Sequence, residues 1–141
     1  MDPTDTPDAI DGALGSPWQA ARAHSRYLDN LLLNRPDIAS WLGEHVAQPL
    51  TAGEMRDFLD AAAPHDDAGV KRVLRRLRQR VMATLIVRDL ADVAPLSEVV
   101  ESMTRLADVT TNFALDFVHR QLCELYGEPL DSQGRSQRLM V

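Results

Sequence analysis

Residues 96–126 read LSEVVESMTRLADVTTNFALDFVHRQLCELY, and within them Leu96, Val99, Met103, Leu106, Thr110, Phe113 and Phe117 recur at steps of three or four. Such steps place side chains along one face of an α-helix, whereas a strand half exposed to water would alternate at steps of two. The run is therefore expected to be one long helix. A second stripe, Leu115, Val118, Leu122 and Leu125, begins halfway along, so the second half of this helix is expected to be buried on two sides. A helix of this length needs a long partner. The segment before it supplies one, because Val70, Val73, Leu74, Leu77, Val81 and Leu85 form a similar stripe in HDDAGVKRVLRRLRQRVMATLIVRDLAD. A break near Pro95 makes the pair antiparallel.

Shorter helices precede this pair. Thr51 and Glu54 have the spacing of a capping box, opening a helix with Met55, Phe58 and Leu59 on its buried side. Asp66 and Asp67 suit the positive N-terminal end of the helix after Pro64. Pro36 opens a short helix with Ile38, Trp41 and Leu42 on one face, with Gly43 or the residues after it as the stop. Before it, Ser16 and Pro17 read as the start of a continuous helix to about Arg35, with Trp18, Ala21, Tyr27, Leu28, Leu31 and Leu32 inward. Gly127 is a natural helix stop, and the turn-rich residues 128–137 lead to the apolar Leu139, Met140 and Val141. Only 5% of the chain is aromatic, so leucine, valine, alanine and methionine have to build the core, which favours helices further. The expected fold is all-α: a bundle of about five helices, the last two long and antiparallel, followed by a short extended segment. Its expected divisions are an acidic disordered tail at 1–15, a helical domain at 16–127, and a linker with the start of a strand at 128–141.

The net charge is −6, and Asp2, Asp5, Asp8 and Asp11 precede the first basic residue, so the rest of the chain is nearly neutral. That balance does not suggest a nucleic-acid binder. One cysteine makes no internal disulfide, no apolar leader follows Met1, and the apolar runs are far shorter than a membrane span, so a cytoplasmic protein is expected.

The densest charge lies in KRVLRRLRQR, where Lys71, Arg72, Arg75, Arg76 and Arg80 form a candidate docking face. Arg72, Arg76 and Arg80 share one helical ridge, and a row of guanidinium groups suits an acidic partner or a phosphate backbone. The same row also serves to keep a long helix solvated, and no aromatic residues interleave it to stack bases. His119 and Cys123 share a helix face at metal-ligand spacing, but two ligands do not make a site. Ser25 beside His24, and Ser40 near His45, lack the strained turn of a serine nucleophile. No catalytic, cofactor-binding or metal residues are expected in this chain. Glu101 with Arg105 and Asp116 with Arg120 are four-apart ion pairs that support helix.

The stretches LRRLRQRVMATLIVRDLADVAPLSEVVESMTRLADVTTNFAL and QLCELYGEPLDSQGRSQRLMV resemble the N-terminal region of the bifunctional glutamine synthetase adenylyltransferase/adenylyl-removing enzymes, and the likeness runs from about Ser25 to Val141. Its most specific parts are LRRLR, the Arg88-Asp89-Leu90 triplet and the approach to Val141; none is a catalytic motif. In that family a segment like RLMV leads into a Gly-rich turn and a strand bearing two aspartates, which hold Mg2+ ions for nucleotidyl transfer. The resemblance thus implies a noncatalytic helical region ahead of the adenylyl-removing domain, with ATP and Mg2+ serving the parent enzyme elsewhere. It implies glutamine synthetase, a PII-type signalling protein and the remaining domains of the same polypeptide as partners, and neither nucleic acid nor membrane. The rival reading is an independent helical module that uses its arginine ridge on an acidic partner or nucleic acid.

Overall fold

The computed structural model describes residues 20–138. The acidic tail at 1–15, the helix start at Ser16 and Pro17, Trp18, and the strand expected at Leu139, Met140 and Val141 lie outside the described residues. Helical residues 20–24 lead into α1 (Arg26–Asn34), α2 (Pro36–His45), α3 (Ala52–Ala62), α4 (Asp67–Leu90) and α5 (Leu96–Tyr126). The chain is an all-α bundle, as expected.

The single helix expected from Pro17 to about Arg35 is interrupted at Ser25. Its backbone is extended, and its Oγ accepts a hydrogen bond from the N–H of Leu28 at 3.2 Å, so it caps α1. A serine side chain competes with the helical backbone for donors, and the apolar pattern on either side masks that competition in the sequence. Gly43 does not stop α2, which runs on until Val46 donates to the carbonyl of Leu42 at 3.0 Å. The cap expected for α3 forms in both directions. Glu54 N–H donates to Thr51 Oγ1 at 3.2 Å, and Thr51 N–H donates to Glu54 Oε2 at 2.7 Å. The bonds that the Glu54 carboxylate accepts, first from the Thr51 N–H and then from the Thr51 hydroxyl at 2.7 Å, hold it below its ordinary range. Asp66 caps α4 by accepting from Gly69 N–H at 2.6 Å.

Helix α4 is the axis of the bundle. On one side its Ala83 and Val87 pack with Ala21, Leu28, Leu31 and Leu32, and with Ile38 and Leu42 of α2. On the other, its Val73, Leu77, Val81 and Leu85 pack with Met55 and Leu59 of α3 and with Leu106 and Val109 of α5. Trp41 reaches both clusters. Leu28, Ile38, Leu42, Met55, Leu59 and Leu77 are fully buried, each such side chain contributing about 1.5–3 kcal/mol relative to exposure.

The turn from α4 to α5 is closed by Val93 and Ala94, whose N–H groups both donate to the Arg88 carbonyl, while Asp92 takes a left-handed conformation with φ 56°. The two long helices therefore run antiparallel. Across this turn Arg88 grips Glu98 with two bonds, Nε to Oε1 at 2.7 Å and Nη2 to Oε2 at 2.9 Å. Its Nη1 donates to the carbonyls of Val46 and Ala47, at 3.1 and 2.5 Å. One nearly buried guanidinium thus joins α4, α5 and the loop between α2 and α3, with its donors met by a carboxylate and two carbonyls.

Two expectations for α5 fail. Leu96 and Met103 on the first stripe are exposed, and on the second stripe only Leu115 is partly buried: Val118 and Leu122 are about half exposed and Leu125 70%, with the neighbouring Tyr126 79% exposed. The cause is length. α5 has 31 residues against 24 in α4, so its last turns extend past the start of its antiparallel neighbour and are left exposed among the described residues. Asp116 also departs from expectation, pairing with Arg138 and not with Arg120. Glu101 and Arg105 do pair, at 2.7 Å.

Helix α5 ends at Gly127, whose φ of +85° suits a residue without a Cβ. Residues 128–138, which include the turn-rich connector expected at 128–137, then form a closed turn. Leu130 and Ser136 make an isolated antiparallel bridge, and Gly134 at φ +77° allows the reversal. Asp131 locks it, its Oδ1 accepting from the N–H groups of Gln133 and Arg135 at 2.8 and 2.9 Å. The Arg138 contact with Asp116 brings the turn back onto α5.

Candidate functional site

The basic residues of α4 divide into two environments. Lys71, Arg72, Arg75, Arg76 and Arg78 are exposed, and among the described residues neither they nor Arg80 form an ion pair with a carboxylate. Arg72 and Arg76 line a groove of about 540 Å³ between the end of α3 and the first half of α4, with Phe58, His65, Gly69 and Val73 around them. Beyond it, Arg35 donates from Nε and Nη2 to the two oxygens of Asp37 at 2.8 and 2.7 Å and from Nη1 to Gln79 at 2.9 Å. The Arg35 bonds pull the Asp37 carboxyl below its usual range, with smaller help from the nearby Arg76. One carboxylate thus faces three guanidinium groups, those of Arg35, Arg76 and Arg80, and the local charge remains positive.

Arg80 does not continue the solvent-facing ridge. Its guanidinium carbon lies 4.9 Å from the ring centre of Trp41 and 4.3 Å from that of Phe58, so it is held between two aromatic faces. Burial pushes its pKa down, against the opposing attraction of Asp37. Trp41 is itself stacked on His45 at 4.8 Å between ring centres, and His45 Nδ1 donates to the Trp41 carbonyl at 2.7 Å. The five residues expected to share a docking face therefore separate, with Lys71, Arg72, Arg75 and Arg76 on the surface and Arg80 built into the packing of α2, α3 and α4. No aromatic interleaves the basic run in sequence, and the two that meet Arg80 come from other helices, so their spacing held no signal for the contact.

A second surface was not expected at all. The uncovered side of α5, with Val118, Leu122, Leu125 and Tyr126, is an apolar strip at the end of the bundle. The sequence signal existed in the second stripe, but it was read as core. Nearby, Cys123 Sγ and His119 Nε2 are 3.5 Å apart, which their four-residue spacing explains. Among the described residues no three His, Cys, Asp or Glu side chains converge as metal ligands. None of the described helices is long and apolar enough to cross a membrane. Ser25, imagined as a nucleophile beside His24, is occupied as a helix cap. Among the described residues the arrangement offers surfaces for contact.

Residues 18–141 match the sequence model of the family described as glutamate-ammonia ligase adenylyltransferase. Among curated proteins, the chain is 40% identical over 123 residues to the bifunctional glutamine synthetase adenylyltransferase/adenylyl-removing enzyme of Nitrosomonas eutropha, covering 84% of this chain and 13% of that protein. It is 36% identical to the enzyme of the same name from Thioalkalivibrio sulfidiphilus, covering 100% of this chain and 15% of that protein. The corresponding enzyme of Bordetella pertussis is 36% identical, with 89% and 14% covered. The chain thus spans about a seventh of the length of these relatives. No solved structure matches it.

Proposed function

The chain belongs to the glutamate-ammonia ligase adenylyltransferase family, and from that premise we propose that it is a noncatalytic helical segment of an enzyme that adds AMP to glutamine synthetase and removes it. The observation that carries this reading is the family match across residues 18–141, which includes every helix of the bundle. Several carboxylates of the described residues serve the fold, Glu54 and Asp66 in helix caps and Glu98 in an ion pair, which is in keeping with a supporting role. In this reading the metal and ATP of the parent reaction are held by other parts of the polypeptide.

In this role the apolar strip on α5 packs against the remainder of the polypeptide. An exposed strip of leucine and tyrosine is costly in water and becomes favourable once covered. Glutamine synthetase and a PII-type signalling protein are partners of the whole enzyme, which works in the cytoplasm, and neither is assigned to a surface of this segment. Nucleic acid is not a partner, because the exposed basic residues carry no stacking aromatics and the chain is acidic overall.

An assay of AMP release from adenylylated glutamine synthetase, run with a parallel assay of AMP incorporation, tests the proposal. The isolated chain is expected to match a no-protein control in both, while the longer polypeptide that contains it is active. Turnover by the isolated chain would overturn the noncatalytic reading.

A further inference from the structure

The geometry points to the groove between the end of α3 and the first half of α4 as a docking site for an acidic peptide: an extended segment of a partner protein whose carboxylates pair with Arg72 and Arg76 while an apolar side chain between them packs on the α3 side. This goes beyond the family assignment and does not depend on it.

The two sides of the groove differ in chemistry. Arg72 and Arg76 stand on α4, and Phe58, Ala61 and Ala62 on α3. Both arginines are exposed, and among the described residues neither pairs with a carboxylate. The same holds for Lys71, Arg75 and Arg78 around them. Asp37, whose carboxyl feels Arg76, already gives both oxygens to Arg35. The carboxylate in the groove lining, that of Asp66, caps α4 by accepting from Gly69 N–H at 2.6 Å, and the two guanidinium groups outnumber it. The surface is therefore complementary to added carboxylates.

The lining also decides which kind of polyanion fits. A nucleic acid is held by base stacking and by hydroxyl and amide donors to its phosphates. Here Arg80 lies 4.3 Å from the ring centre of Phe58 and takes one of its faces, and among the described residues no serine, threonine, asparagine or glutamine lines the groove. The N–H at the head of α4 that faces the groove from Gly69 is engaged by Asp66. Phe58, Ala61, Ala62 and Val73 offer instead an apolar bed, which favours a peptide that brings an apolar side chain with its acids.

Spacing sets the form of that peptide. Arg72 and Arg76 are four residues apart, about 6 Å along the helix axis. In an extended chain, side chains two apart lie on one side at about 6.5–7 Å and the one between them points the other way. A Glu-Leu-Glu segment lying along the groove sets two carboxylates against α4 and the leucine against α3. This is the alternation by which extended peptides are read in shallow clefts. The groove holds about 540 Å³, within the range of about 300–1,000 Å³ for ligand pockets.

Fluorescence anisotropy of a labelled peptide with the core Glu-Leu-Glu-Leu-Glu, titrated with the intact chain at low salt, tests the proposal. Two double variants remove the same charge: Arg72→Ala with Arg76→Ala in the groove, and Arg75→Ala with Arg78→Ala outside it. All four side chains are exposed, so both variants should keep the helical circular dichroism of the unmodified chain. Saturable binding is expected, about ten-fold weaker in the groove variant and changed by less than about three-fold in the other. A peptide with glycine in place of each leucine should bind several-fold more weakly, and one with glutamine in place of each glutamate should not bind. Absence of binding to the unmodified chain would overturn the proposal. Equal weakening by the two double variants would do the same, since the attraction would then be diffuse charge. So would tighter binding of an oligothymidylate of equal charge, which would make the face a nucleic-acid site.

Discussion

Arg88 shows how much one side chain can decide. It lies in the Arg-Asp-Leu triplet that is among the most specific parts of the family resemblance, and its position explains a role that its sequence neighbours do not reveal. The residue is 7% exposed, and its guanidinium meets Glu98 of α5 together with the carbonyls of Val46 and Ala47, so three elements depend on one group. Replacing it by methionine keeps the stem but leaves a carboxylate and two carbonyls without their donor. The expected cost is about 3–5 kcal/mol, the range for breaking a buried ion pair from one side. Urea unfolding of Arg88→Met measures it, and a loss below about 1 kcal/mol would show that water replaces the guanidinium. Lysine is not an adequate substitute, because a single ammonium cannot match the paired geometry that holds Glu98.

At the level of elements, the contrast between α3 and α5 is informative. The Thr51 and Glu54 cap was readable because both partners lie within four residues, and a local hydrogen bond needs no distant neighbour. The second stripe of α5 was readable as apolar, but its burial was not, because burial depends on whether a neighbouring helix extends far enough. Here α4 begins too late to cover it. The double substitution Leu122→Lys and Leu125→Lys is therefore expected to change the stability of the isolated chain by no more than about 0.5 kcal/mol, as for other exposed positions. Thermal melting checks this. In the longer polypeptide the same pair should lower stability or activity if the strip is covered there, and equal behaviour in both settings would count against a packing role.

For the molecule as a whole, acid provides a test of how far the ion pairs cooperate. The bonds from Arg88 hold the Glu98 carboxyl below its ordinary range, and those from Arg35 do the same for Asp37. Each group is thus more readily protonated in the unfolded chain, whose carboxyls titrate near pH 4. Their contribution is complete above about pH 5 and is lost as pH falls through the unfolded and then the folded values. The midpoint of urea unfolding should be flat from about pH 5 to 7 and fall below about pH 4, with a shallower acid limb in Glu98→Gln. An unchanged acid limb in that variant would remove Glu98 from the account. The sequence by itself determined the helical class, the caps at Thr51 and Asp66, the stop at Gly127 and the pairing of the two long helices, because periodicity, capping and chain reversal act over a few residues. Only the tertiary structure decided that Ser25 divides a helix, that Arg80 lies between Trp41 and Phe58, that Asp116 meets Arg138, and that the end of α5 is bare. Each of these depends on which groups far apart in the chain arrive side by side and on how far each helix extends, and a one-dimensional pattern carries no measure of either.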